Sequence, residues 1–96
     1  MNQSLNITFG QCVRAMRQAQ GLTQVIFSER CGFYQTYLSR IENGQANPTL
    51  NAMEVIATGL GLSIFELFER IRLRVTQDGS VIGPTAVELS PLPEVS

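Results

Sequence analysis

The stretch "GFYQTYLSRIENG", Gly32 to Gly44, reads as one short helix held between two glycines. Leu38 and Ile41 stand three apart and share a face that turns inward. Tyr34, Gln35, Thr36, Ser39 and Arg40 take the outer positions, and amides, hydroxyls and guanidinium groups are what pairs with base edges. Whole-chain charge argues the other way, being formally −1 with an isoelectric point near 5.3. The imbalance is local. Residues 1–76 hold seven arginines (14, 17, 30, 40, 70, 72 and 74) against five glutamates, a net of +2. Residues 77–96 hold Asp78, Glu88 and Glu94 and no base, a net of −3. The acidity belongs to the tail and does not exclude an anionic partner for the rest.

Working outward, the chain is a string of capped helices. Thr8 with Gln11 has capping-box spacing, Ile7 and Cys12 stand at staple positions, and Phe9, Val13 and Met16 share a face. This first helix ends at Gly21. Thr23 caps a second, short helix over about 23–30, with Leu22 and Phe27 as its staple, and Gly32 breaks it. The third runs from about Gln35 to Glu42, stopped by Asn43-Gly44. Pro48 suits the first turn of a fourth, whose apolar face is Leu50, Met53, Ile56, Ala57 and Leu60, and Gly61 ends it. Ser63 and Glu66 repeat the capping box, with Leu62 and Leu67 as staple, for a fifth helix reaching about Arg70.

After that the pattern alternates. Ile71, Leu73 and Val75 fall on one side and Arg72, Arg74 and Thr76 on the other, the period of a strand. Asp78-Gly79 is a hairpin turn signal, so 71–82 reads as a β-hairpin, with continuation of the fifth helix through Arg74 as the alternative. The proline-bearing end reads as a loose tail. The expected organisation is an all-α five-helix domain over 1–70 with a C-terminal segment and tail over 71–96. A two-stranded hairpin is marginal alone, so 71–82 is expected to lie against a second copy. Ile64, Phe65, Phe68, Ile71, Leu73 and Val75 are the candidate dimerisation residues.

Composition removes several function classes. The chain has no histidine and two isolated cysteines, Cys12 and Cys31, too few for a four-ligand zinc site. These read as small buried thiols, with a disulfide or redox role as the alternative. With no phosphate loop either, the usual nucleophile–base and metal arrangements are missing, so no enzyme activity, metal or cofactor is expected. No apolar run approaches the ~20 residues that span a bilayer. The N-terminus lacks the basic start and apolar segment of a secretion signal. A cytoplasmic, nucleoid-associated location is expected, without a membrane partner.

Two short helices joined through Gly32 make a helix-turn-helix candidate over 23–42, a geometry that lets one helix enter the major groove, about 12 Å wide, while the other crosses the backbone. "GLTQ" (21–24), "SERCGFYQTYLSRIENG" (28–44), "NPTL" (47–50), "IATGLGLS" (56–63) and "ELF" (66–68) resemble the phage Cro and repressor type helix-turn-helix family, also called the xenobiotic-response-element family. The resemblance spans about residues 9–68 and implies a lambda-repressor-like domain that is usually dimeric and usually a transcription regulator. It places Tyr34, Gln35, Thr36 and Arg40 toward the groove, with Ser39 near the same surface. It places Gln24 on a phosphate, bracing the third helix, and Asn43, Gln45 and Asn47 on the opposite phosphate backbone. It pairs Arg17 with Glu42 to tie the first helix to the end of the third. Thr23 is a further candidate for phosphate contact, and Arg14 is either such a contact or surface charge.

Two positions depart from the family. Residue 34 is usually a small capping residue, and Tyr34 cannot cap in that way. Val25 and Ile26 stand where charge is common, which suggests cover by the N-terminal arm or by a partner. The expected function is a homodimeric, sequence-specific regulator of double-stranded operator DNA. It would read a near-palindrome with half-sites about 34 Å apart. "YQTYLSRIENGQANPTL" in so short a chain also resembles restriction–modification controller proteins. An antitoxin, or an interaction module bound to a toxin or other protein with weak or no DNA binding, is the alternative.

Overall fold

The computed structural model describes residues 2–77. Five helices occupy the described residues: α1 (Asn2–Ala19), α2 (Gln24–Cys31), α3 (Gln35–Glu42), α4 (Leu50–Gly59) and α5 (Ile64–Gln77). α1 packs on α3 and α5, α2 on α3 and α4, and α4 on α5. These faces enclose a core of Phe9, Val13, Phe27, Leu38, Ile41, Ile56, Ala57, Leu60 and Leu67. Each such side chain contributes roughly 1.5–3 kcal/mol when fully buried, less for alanine. No single described helix is long and apolar enough to cross a membrane.

Helix ends follow the expected chemistry at Thr23 and Ser63, and Thr49 supplies a further cap that the sequence reading does not name. Thr23 Oγ1 accepts from the Ile26 amide at 3.1 Å, and Thr49 Oγ1 from that of Ala52 at 3.0 Å. Ser63 and Glu66 close a reciprocal box, at 2.8 and 3.0 Å. Pro48 therefore lies just outside α4, which is capped by Thr49, rather than in its first turn. Leu50, the first residue after that cap, points away from the core and is 64% exposed, so it is not a core residue.

Two other expectations fail. α1 begins at Asn2, six residues before Thr8, because nothing in "NQSLNI" breaks a helix and extending one from a formed nucleus costs little. Thr8 lies inside the helix, and Ile7 remains partly exposed. The strand at 71–76 is also absent: α5 continues to Gln77, so the 70/71 boundary falls inside one helix. The reason is a competing period. Residues 64, 67, 71 and 75 form a helical stripe in which Leu67 and Val75 are buried and Ile64 and Ile71 pack on the core, whereas Leu73 faces out. Arg72 reaches back to Glu69 with two hydrogen bonds of 3.2 and 2.6 Å, a pairing that needs the helical i, i+3 spacing. Asp78-Gly79 and 80–82 lie outside the described residues.

The helical glycines mark close approaches. A Cβ at Gly10 would lie 2.2 Å from the Ile41 carbonyl oxygen and 2.7 Å from that of Glu42. One at Gly59 would meet Phe27 and the Cys31 sulfur at 3.0 and 3.1 Å. Gly10→Ala, which in an open helix gains about 1 kcal/mol, is therefore expected to destabilise the protein by about 2 kcal/mol or more through overpacking against backbone. Urea unfolding followed by circular dichroism checks this; a stabilised variant would show that α1 and α3 are not so closely apposed.

Candidate nucleic-acid interface

α2 and α3 are joined by a tight turn. Gly32 takes φ +76, and its amide bonds Glu29 O while the Phe33 amide bonds Ser28 O, closing off the end of α2. This left-handed conformation is one that glycine adopts without penalty. Tyr34 then occupies the N-cap position of α3 with no side-chain capping bond, and its side chain is 85% exposed. Leu38 and Ile41 are buried and fix the inner face. Gln35, Thr36 and Arg40 are exposed and Ser39 is half-buried, so the outer face carries the polar set that the sequence places there.

At the C-terminal end of α3 lies Glu42, only 2% exposed. Arg17 from α1 forks onto it, with Nε 2.7 Å from Oε2 and Nη2 2.9 Å from Oε1. Its remaining Nη1 donates to the Leu22 carbonyl at 2.8 Å, beyond the end of α1. This is the expected Arg17–Glu42 pair, and two more residues join it: Gln24, expected as a brace on the third helix, and Arg14, expected only toward phosphate or solvent. Gln24 Nε2 donates to Glu42 Oε1 at 3.0 Å, and Arg14 Nε lies 3.5 Å from the same oxygen. Nothing in the sequence marks these as partners, since Gln24 and Arg14 lie 18 and 28 residues away. Burial pushes the Glu42 carboxyl pKa up, but bonds from Arg17, Gln24 and Arg14, with the charge of Arg17, outweigh it and hold the pKa below the ordinary value.

The network extends to the outer face. Gln35 Nε2 donates to Gln24 Oε1 at 3.4 Å, and Arg14 Nη2 donates to Asn43 Oδ1 at 2.7 Å. Separately, Arg40 Nη2 donates to the Gln45 carbonyl at 3.2 Å, tying the reading helix to the loop that follows it. Gln45 and Asn47 are exposed on that loop, and Thr23 is exposed with its hydroxyl engaged as the α2 cap. Tyr37, absent from the expected set, is half-buried beside Thr36 with its ring edge-on to Phe33 at 5.1 Å between centroids.

The remaining candidates divide. Phe65 is 77% exposed, and Phe68 and Leu73 are also exposed on α5, whereas Ile64, Ile71 and Val75 belong to the chain's own packing. Val25 and Ile26 stay about half exposed. Ile7, near the start of α1, lies against Gly44. No disulfide joins Cys12 and Cys31. Burial pushes the Cys31 thiol up to about 11, with Arg30 only partly offsetting it. Such a thiol is almost wholly protonated at neutral pH and is a poor nucleophile.

Residues 8–67 match the helix-turn-helix domain family. The chain belongs to that family. Among relatives, the control protein C.MunI of a Mycoplasma species is 37% identical over 68 residues, which cover 70% of this chain and 92% of that protein. The immunity repressor protein of Bacillus phage phi105 is 36% identical over 58 residues, 60% of this chain but only 40% of the repressor. Among solved structures, the restriction–modification controller protein C.Esp1396I, as a tetramer in complex with its natural 35 base-pair operator, is 26% identical with a TM-score of 0.71. The match covers 75% of this chain and 95% of that one. This helix-turn-helix protein is thus a DNA-binding regulator of the controller and repressor type, and its relatives are regulators rather than enzymes.

A carboxyl whose folded pKa is depressed contributes stability that is present above its unfolded value, about 4.5, and is lost as pH falls through the folded value. Glu42→Gln is expected to lose roughly 3–5 kcal/mol at pH 7, because Arg17 is left buried without its counter-charge. It should also flatten the stability profile below that pH. Urea titrations at pH 7 and at steps between pH 5 and 3 measure both, and parallel wild-type and variant profiles would refute the assignment.

Proposed function

We propose that this regulator binds operator DNA as a homodimer, each protomer placing α3 in a major groove and the pair reading a near-palindrome. The observation that carries the proposal is the two-sidedness of α3: its inner face is locked by Leu38, Ile41 and Glu42, and its outer face presents unburied Tyr34, Gln35, Thr36 and Arg40. Side chains held on a rigid helix reach base edges in a defined geometry, and Gln and Arg offer bidentate pairs to adenine and guanine. Ser39 sits at the rim of that face.

Phosphate contacts are assigned to Gln24, Thr23, Arg14, Asn43, Gln45 and Asn47, which flank α3 at its two ends. Amides and helix ends bind phosphate without a large net positive charge, which reconciles the role with a chain of net −1. The uncapped start of α3 leaves first-turn amides open to an anion. The operator-bound tetramer of C.Esp1396I supports both DNA binding and self-association as the mode of action. Phe65, Phe68 and Leu73 supply the exposed apolar surface on α5 for the dimer. The protein works in the cytoplasm at the nucleoid. We assign it no enzymatic activity.

A second reading is favoured by Val25 and Ile26, adjacent apolar residues left half exposed beside the reading helix. They suit a protein partner, such as a toxin, that would bind the same domain.

Electrophoretic mobility shift with fragments of the source genome at moderate salt is expected to yield a specific complex. Arg40→Ala should relax preference at one base-pair position by about 1–3 kcal/mol; an equal loss for every sequence would refute its base-reading role. Phe65→Asp, at an exposed position, should leave the monomer folded and weaken both self-association and operator binding. Wild-type protein that stays monomeric by light scattering at high concentration would overturn the dimer.

A further inference from the structure

We propose that Ile7, near the start of α1, is a positioning residue for Arg40: it braces the turn after α3 and so fixes the backbone carbonyl that holds the Arg40 guanidinium in its reading orientation. The proposal rests on the base-reading role of Arg40 and goes beyond it by naming what orients that side chain. Ile7 precedes the stretch 8–67 that matches the family, so the brace is supplied from outside the matched domain.

An arginine reads guanine through two adjacent N–H groups on one edge of its plane. A long, freely turning side chain must give up its rotamers to do so, and a side chain already held in place gives up fewer. Arg40 is held. Its Nη2 donates to the Gln45 carbonyl at 3.2 Å, and the Gln45 amide donates to the Arg40 carbonyl at 2.8 Å, so the two residues are tied twice. The guanidinium bond uses one of five N–H donors. Whichever Nη2 hydrogen it takes, the other still completes a two-donor edge, either with Nε or with Nη1. The tether therefore orients Arg40 without consuming the pair that guanine O6 and N7 require.

Such a tether is only as fixed as the Gln45 carbonyl. Gly44, directly before it, has φ +75, and a glycine carries no side chain to restrict the turn. Restriction comes from the neighbours on either side. Ala46, directly after Gln45, packs on the core. On the other side α1 lies against Gly44, where a Cβ would meet Ile7 Cγ1 at 2.6 Å and Ile7 Cα at 2.9 Å. Ile7 stands outside the buried core and is 42% exposed, so the turn is what its inner side covers. A β-branched side chain in a helix is stiff at χ1, which suits it to bracing a mobile residue. The chain of contacts runs from Ile7 to Gly44, through the Gln45 carbonyl, to the guanidinium of Arg40.

The experiment is selection of bound sequences from a randomised operator library by the full chain, scored as base preference at each position, a ratio that overall affinity does not move. Arg40→Ala first identifies the position that Arg40 reads. Ile7→Ala removes Cγ1 at a half-exposed helical site where alanine is a good helix former, and circular dichroism should show it folded. It is expected to cut preference about 3-fold to 5-fold at the Arg40 position, within the worth of one hydrogen bond, while other positions keep their ratios. Ile7→Val retains Cγ1 and should keep the wild-type preference. An Ile7→Ala protein whose preferences are unchanged at every position, or blunted equally at all of them, overturns the brace, as does an Ile7→Val protein that loses as much as the alanine variant. If Arg40→Ala itself alters no position, the base-reading role fails and the brace falls with it, an outcome distinct from failure of the brace alone.

Discussion

A carboxylate taken out of water costs several kcal/mol unless donors replace the water it loses. Glu42 is such a group, and much of the architecture around α3 follows from satisfying it. Four N–H donors converge on it: Arg17 Nε and Nη2, Gln24 Nε2 and Arg14 Nε. They arrive from α1 and from the start of α2, so one residue fixes three helices relative to one another. Apolar contact alone is non-directional and would leave α3 free to slide or turn on the core. The planar fork of Arg17 admits one arrangement, and through Leu22 O the same guanidinium also holds the chain between α1 and α2.

The ion pair and the backbone packing depend on each other. At Gly10 the absence of a side chain lets α1 lie against the carbonyls of Ile41 and Glu42. A methyl group there would push α1 away from the end of α3, and the arginines one and two turns further along α1 would be carried away with it. Polar specificity at Glu42 is therefore bought with a glycine in the middle of a helix, a position where glycine is otherwise a liability.

Most of the fold was legible because it is written in local chemistry. Thr23, Gly32, Ser63 and Glu66 announce helix ends through groups that act within four residues of themselves. The failures have the same root. Thr8 and Gln11 have the spacing of a cap, but a cap is needed only where a helix stops, and nothing stops α1 before Asn2. Ile71, Leu73 and Val75 satisfy period two, yet with Ile64 and Leu67 two of them also satisfy the helical period, and attachment to a helix already formed settles the choice. Of the site, the outward face of α3 could be read from its own pattern, and Arg17 with Glu42 from family resemblance. Gln24 is read from the same resemblance as a brace on the third helix, but its bond to Glu42 and the bonds of Arg14 to Glu42 and Asn43 could not be read, because hydrogen bonds between residues so far apart leave no periodic trace.

Tyr34 shows how the remaining local misfit is arranged. A helix of two turns has little stability of its own, and a serine or aspartate at its N-cap would add about 1 kcal/mol by accepting from a first-turn amide. Tyr34 forgoes that acceptor and stands 85% exposed. The loss is tolerable because α3 does not rely on its own ends: Leu38 and Ile41 are buried, and Glu42 is pinned by Arg17. With stability supplied from the inner face and the C-terminal end, the N-terminal end keeps its amides and a large aromatic hydroxyl side chain available to an outside partner. The element that contributes least to its own folding is the one freed to present its surface, and Glu42 is the residue that makes this division possible.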